Sequence, residues 1–190
     1  MSESPVETLI LPGLGGSGPD HWQTRWEALY GYERVEQVDW DRPSLDAWTE
    51  ALDARVRRAA SPVVLVAHSL ACSLVAHWAR ERASRGVIAA LLVAPADVDA
   101  LVDAMPVVRS FAPVPERALP FASAVVASAD DPYVSLDRAR LFASNWGSAF
   151  EDVGALGHIN AASKLGDWDD GHGMLVALRD GASRGTITAT

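Results

Sequence analysis

The stretch Val63-Val64-Leu65-Val66-Ala67-His68-Ser69-Leu70-Ala71-Cys72-Ser73 constrains this chain more than any other. β-Branched and aliphatic residues run up to a serine. Alanine stands two positions away on each side, and an alanine-rich helical pattern follows directly. This is the layout of a nucleophile elbow, a strand-to-helix turn sharp enough to lift a serine hydroxyl above a parallel sheet. Its usual form is Gly-x-Ser-x-Gly, because the backbone on either side nearly touches neighbouring strands; alanine departs from glycine but keeps the side chains small. The serine then stands at a helix N-terminus, whose free N–H groups face developing negative charge. The competing reading is a buried strand and a helix for which Ser69 is only the N-cap. The segment by itself does not decide between them.

The remaining chain supplies a sheet for such a turn. Short apolar runs at 6–11, 34–38, 62–67, 87–93, 122–127 and 149–153 read as strands, and the segments 22–30, 45–59, 70–83, 136–146 and 168–180 read as helices. Strands alternating with helices imply βαβ units and a mostly parallel sheet of about six strands, an α/β fold with helices on both faces. The third, fourth and fifth strands are apolar throughout, as strands covered on both faces must be. The 190 residues suffice for one domain, 1–190, with a sizeable core, and 49% hydrophobic against 22% charged residues is a globular balance. The irregular segment 97–120, with Pro106, Pro113, Pro115 and Pro120, is too short for a large lid but can border a site. The tail 181–190 reads as frayed.

Ligands of such sheets bind outside the carboxyl ends of the strands. Four of the loops there carry useful chemistry: Pro12-Gly13-Leu14-Gly15-Gly16-Ser17-Gly18, Ser69, Ser128-Ala129-Asp130-Asp131-Pro132-Tyr133-Val134 and Gly154-Ala155-Leu156-Gly157-His158-Ile159-Asn160. The chain order is Ser, Asp, His, that of α/β-hydrolases. A serine hydroxyl needs an adjacent base, and His158, after the last strand, is the best candidate. His172 competes but lies in the last helical segment; His68 is expected to pack or bind a backbone group, and His77 to be structural. Asp130 and Asp131 both fit the acid's loop. Pro132 biases Asp131 toward an extended backbone, which favours it, and Asp130 otherwise reads as a turn residue. The Gly-rich loop admits a phosphate cradle, although its spacing is not the dinucleotide fingerprint. It admits better an oxyanion hole, with Leu14 and Leu70 supplying N–H groups. In Asp20-His21-Trp22, Asp20 can cap a helix on which Trp22 and Trp26 pack, while His21 and Trp22 can stand at the pocket rim beside Gly13.

Leu11-Pro12-Gly13, Asp20-His21-Trp22, Ala67-His68-Ser69-Leu70-Ala71, Ser128-x-x-Asp131-Pro132-Tyr133-Val134 and Gly157-His158-Ile159-Asn160 together resemble the small serine hydrolases related to retinoblastoma-binding protein 9 and its bacterial relatives. Gly166-Asp167-Trp168 to Gly171 looks like the start of that family's last helix. The resemblance implies a compact α/β-hydrolase fold with little or no lid, a triad of Ser69, Asp131 and His158, and esterase-like or aminopeptidase-like activity on a small ester, amide or thioester. A hydrolase-like binding module with little turnover is the alternative from a different class, and a haloperoxidase-like or lyase use of the fold stays open.

Composition bounds the partners. The net charge of −9 disfavours nucleic acid and anionic membrane, and no apolar stretch is long enough to span a bilayer. Arg55, Arg57 and Arg58, the densest basic group, are expected at the solvated end of a helix. Met1-Ser2-Glu3-Ser4 is polar and acidic, so no signal peptide is expected. The single cysteine, Cys72, excludes an intramolecular disulfide and suits the cytoplasm. No Cys/His cluster has zinc spacing. The expectation is a small-molecule substrate, with no cofactor, no metal and no indicated protein partner.

Overall fold

The structure is a computed structural model that describes residues 6–82 and 86–185. Strands β1 (Glu7–Leu11), β2 (Glu33–Arg34), β3 (Val63–His68), β4 (Val87–Val93), β5 (Ala122–Ala127) and β6 (Ala149–Asp152) form one sheet in the order β2-β1-β3-β4-β5-β6, with every pairing parallel. The helices are α1 (Trp22–Tyr30), α2 (Leu45–Arg57), α3 (Leu70–Glu81), α4 (Val98–Leu101), α5 (Leu136–Trp146) and α6 (Asp169–Ser183). This is the α/β-hydrolase arrangement.

Strand side chains alternate between faces, and both faces are apolar. Leu9, Leu11, Val63, Leu65, Ala67, Leu92 and Val125 point to one layer, where α2, α3 and α5 bring Trp48, Leu52, Leu74, Trp78 and Phe142. Ile10, Val64, Val66, Leu91, Val93 and Val126 point to the other, closed by Trp22 and Trp26 of α1 and Leu175 and Leu178 of α6. β1 pairs with β2 on one side and β3 on the other. The strand order therefore reverses at β1/β3, and a crevice opens above their carboxyl ends.

Several boundaries differ from the sequence expectation. β2 is Glu33–Arg34 rather than 34–38: Val35 still donates to the Ile10 carbonyl (2.9 Å), but Val38 is 89% exposed. An Asp39 turn, whose carboxylate accepts from the Asp41 and Arg42 amides, has drawn the chain out of the sheet. The helix expected to Ala59 ends at Arg57, and the one expected to Ala83 ends at Glu81, with residue 83 outside the described residues. α6 starts one residue late. Trp168 takes a left-handed backbone (φ 45°) and lays its indole over Gly171, where a Cβ would come within 2.3 Å of the ring. The tail expected to fray from 181 is helical to Ser183; residues 186–190, like Met1–Ser4, lie outside the described residues. Arg55 is not solvated: its side chain is 11% exposed and forms ion pairs with Glu33 (2.7 Å) and Glu7 (2.8 Å), tying α2 to the ends of β2 and β1. Among the described residues no helix is long and apolar enough to cross a membrane.

Candidate active site

β3 is buried along its length and is followed directly by Ser69, whose backbone (φ 57°, ψ −120°) lies in the left-handed half of conformational space. A non-glycine residue holds such a conformation only where its surroundings impose it. Here the Ser69 amide donates to the Val93 carbonyl (2.9 Å), and Ala67 and Ala71 are fully buried on either side. The loop after β1 abuts the turn so closely that a Cβ on Gly13 would stand 2.9 Å from both the His68 oxygen and the Ser69 Cβ. That contact makes Gly13 obligatory. Leu70 is the first residue of α3, so its N–H has no partner within the helix. The Leu14 N–H enters no backbone hydrogen bond among the described residues, whereas the next two amides are engaged, Gly15 with Trp40 and Gly16 with Gly13.

Three distant residues converge above the turn. Ser69 Oγ lies 2.8 Å from His158 Nε2, and His158 Nδ1 lies 2.8 and 2.9 Å from the two oxygens of Asp131. A carboxylate only accepts, so Nδ1 carries the proton and Nε2 is left to accept from the serine hydroxyl. The Asp131 side chain has no exposed surface and also accepts from the Tyr133 amide (2.9 Å). The Tyr133 ring stands edge-on to the imidazole, centroids 4.6 Å apart.

The imidazole is held from several directions. Gly157 (φ 58°) and Ile159 (φ 46°) bend the loop around it. Asp130 Oδ1 accepts from the Gly157 amide (2.7 Å) and from Ser128 Oγ (2.8 Å), and Ser128 Oγ accepts from the Leu156 amide (2.8 Å). These bonds, the Gly157 amide foremost, hold the Asp130 carboxyl below the usual range. From beneath, His68 Nε2 donates to the His158 carbonyl (2.9 Å), and Trp22 Nε1 donates to the Ile159 carbonyl (2.7 Å).

Trp22 therefore does not line the pocket. It is 1% exposed and sits under the histidine loop as a tether, in edge contact with Trp26 and Trp168. Nor does Asp20 cap α1: it is exposed, and the N-cap is His21, whose Nδ1 accepts from the Gln23 amide (3.2 Å). That bond places the His21 proton on Nε2, which is buried with no partner among the described residues. Burial, helped by the neighbouring His158 and Arg34, pushes the His21 pKa down to about 4. Burial also drives His68 well below its ordinary value, with His21 and His158 adding to the effect. His172 pairs with Tyr32 OH (2.8 Å) far from Ser69, and His77 donates to the Phe111 carbonyl (3.0 Å). Cys72 is fully buried against the Ala67 and Val93 carbonyls, and burial raises its thiol pKa.

A cleft of about 300 Å³ opens over Ser69. It is lined by Gly13, Leu14, His21, Leu70 and His158 from the segments around Ser69, and by a second, apolar wall of Val98, Leu101, Met105 and Val108. That second wall comes from α4 and the 3-10 helix Pro106–Phe111, within the segment expected to be irregular. Nothing periodic in its sequence marks it as a pocket wall. The Asp130 tether was equally unread, although Ser128-x-Asp130 is a spacing at which side chains bridge back to nearby backbone. Among the described residues no group of three or more His, Cys, Asp or Glu is placed to hold a metal ion.

A family model described as serine hydrolase matches residues 8–177. The chain is similar to a protein described as a YdeN-like hydrolase from Pectobacterium atrosepticum, at 29% identity and a TM-score of 0.83 over 96% of this chain and 93% of that one. It shares its fold with the YdeN gene product of Bacillus subtilis (18% identity, TM-score 0.73, covering 93% of this chain and 100% of that one). It also shares it with Est1E of Butyrivibrio proteoclasticus, solved with ferulic acid bound (10% identity, TM-score 0.71, covering 94% and 91%). No curated protein matches the sequence.

Proposed function

The chain belongs to the serine hydrolase family, and from that premise we propose that it cleaves a small carboxylic ester, with amides and thioesters as related substrates, through an acyl-enzyme on Ser69. The observation that carries this reading is the unbroken chain from Ser69 Oγ through His158 to Asp131, with links of 2.8 Å. In this reading Ser69 Oγ attacks the carbonyl carbon as His158 Nε2 takes its proton. Asp131 holds the ring in the Nδ1–H form and stabilises the imidazolium. The N–H groups of Leu14 and Leu70 receive the oxyanion. Collapse of the tetrahedral adduct breaks the bond to the leaving group, which departs with the proton from His158. Water, deprotonated by the same nitrogen, then attacks the acyl carbon and releases the carboxylic acid and free Ser69. Each step uses side chains already in contact, with no rearrangement.

Within the family we place the chain with the small hydrolases that resemble retinoblastoma-binding protein 9, on the motifs around Gly13, His21, Ser69, Asp131 and His158. A lone buried thiol at Cys72 fits work in a reducing compartment such as the cytoplasm.

A fluorophosphonate probe and a short-chain p-nitrophenyl ester test the proposal together. The probe should add once, to Ser69. Ser69→Ala should lose on the order of 10⁶ in turnover, as loss of a serine nucleophile does elsewhere. Equal ester turnover by wild type and Ser69→Ala would refute the hydrolase reading and leave a binding module.

A further inference from the structure

The two walls of the cleft differ, and the difference speaks to the substrate. Resting on the hydrolase reading above, we propose that the cleft accepts a neutral aliphatic acyl group of short to medium length, laid against Val98, Leu101, Met105 and Val108, and rejects acyl groups that carry a charge. The cavity of about 300 Å³ is at the small end of ligand pockets. That leaves room for a chain of a few methylenes beyond the carbonyl.

The charge argument is as direct as the size argument. Among the described residues no Asp, Glu, Lys or Arg lines the cleft; its titratable side chains are His21, His68, Ser69's partner His158 and Tyr133. The nearest carboxylates are committed elsewhere. Asp131 is fully covered and bonded to His158 and the Tyr133 amide. Asp97 and Asp99, at the start of the apolar wall, form ion pairs with Arg138 at 3.1 and 2.8 Å. An α-ammonium on an aminoacyl substrate would find no counter-ion, and a second carboxylate on a dicarboxylic half-ester would find no cation. An unpaired charge removed from water is strongly disfavoured, so the cleft discriminates against both aminopeptidase-type and half-ester substrates. The apolar wall is also firmly built. Asp97 donates its amide to the Tyr133 carbonyl (3.0 Å), while Ser73 Oγ and His77 Nε2 both donate to the Phe111 carbonyl (3.2 and 3.0 Å). Anchored at both ends, it cannot readily turn polar atoms toward a charged substrate.

The test compares p-nitrophenyl acetate, propionate and butyrate with the β-alanyl ester, in which an ammonium replaces the terminal methyl of butyrate, and with the hemisuccinate. Along the neutral series kcat/KM should rise by about fourfold per methylene, the value of burying one CH₂ group. The β-alanyl and hemisuccinyl esters should fall about 100-fold below butyrate, as expected for burying an unpaired charge. Met105→Glu, at a half-buried position on the wall, should raise the β-alanyl-to-butyryl ratio by about tenfold or more by supplying the missing counter-ion. Fluorophosphonate labelling of Ser69 in each preparation reports that the site is folded and reactive. Full labelling with a flat chain-length profile, or with a β-alanyl ester hydrolysed as fast as butyrate, overturns this inference and spares the hydrolase reading. Absent labelling of folded wild type overturns both.

Discussion

The two halves of the site are built in opposite ways. On the serine side, position follows from neighbours in the chain: a buried strand, a strained residue and a helix place Ser69 within the ten residues from Val63 to Cys72. On the histidine side, almost nothing local fixes His158. Its loop follows β6, whose side chains are largely exposed, and contains three residues with positive φ, at 154, 157 and 159. The ring is held by groups from far along the sequence: Asp131 at 27 residues, His68 at 90, and Trp22 on the flanking carbonyl at 137. The proposed nucleophile is thus encoded by a short motif, whereas the proposed base depends on the completed fold.

The largest expected effect on the histidine half comes from Asp131→Asn. The amide nitrogen would donate toward Nδ1 and favour the tautomer with the proton on Nε2, the atom that must accept from Ser69. With the elbow untouched, the variant should fold normally and lose about 10⁴ in turnover, as the equivalent change does in a well-studied serine protease. The check is kcat for p-nitrophenyl butyrate alongside the thermal midpoint. A loss below about tenfold would mean that Asp131 does not orient the base, and the histidine half would need another acid.

The same contrast explains what was legible in the sequence. The elbow was readable because Ala67, Ser69 and Ala71 sit at fixed offsets between a strand pattern and a helix pattern. His158 and Asp131 were readable as residues in the right loops, since an alternating strand–helix chain puts all such loops on one edge. Their tethers were not readable. Trp22 looked like a rim residue because it adjoins His21, yet His21 is the extended N-cap and Trp22 the first residue of α1, so His21 meets the cleft while Trp22 passes beneath the loop. Asp20 looked like the cap because aspartate commonly is one, but the helix starts at Trp22 as expected, which leaves His21 and not Asp20 at the N-cap position. Arg55 looked solvated at a helix end until β1 and β2 brought Glu7 and Glu33 to it. The wall from Val98 to Val108 has no periodic pattern, because its apolar residues are set by two short turns rather than by one regular element.

A smaller effect is expected at the seam between the halves, where the rings of His21, His68 and His158 meet edge-on or tilted, with centroids 4.8 and 4.9 Å apart. His21 titrates at about 4 in the folded protein, below its ordinary 6.5, because burial disfavours its cation. Between those values the unfolded chain binds the extra proton, so this stability is present above pH 6.5 and is lost as pH falls toward 4. The loss for His21 amounts to about 3 kcal/mol once fully developed, and His68 acts in the same direction. His21→Asn keeps a good N-cap and removes the titration. Thermal midpoints at pH 7 and pH 4.5 should therefore lie closer together in the variant than in wild type. A wild-type midpoint insensitive to pH over this range would show that the seam is not sealed from water.

The smallest effect separates the two adjacent aspartates. Asp130 touches neither Ser69 nor the imidazole; it holds the backbone beside His158, the proposed base, by accepting from the Gly157 amide and Ser128 Oγ. Asp130→Asn can keep an oxygen in that place, but both bonds lose the assistance of a formal negative charge. Charge-assisted hydrogen bonds are stronger than neutral ones. The loop is therefore loosened, and kcat should fall by roughly a few-fold. KM should hold, because Asp130 does not line the cleft. Asp130→Ala, which removes the acceptor and leaves the Gly157 amide without it, should cost more, about tenfold to 100-fold. The order Asp131→Asn, Asp130→Ala, Asp130→Asn in falling severity is the signature of one residue oriented on the imidazole and another holding the backbone beside it. If Asp130→Asn proved more damaging than Asp131→Asn, the two roles would have to be exchanged, and the histidine half of the site would rest on the Gly157 tether rather than on the contact with Nδ1.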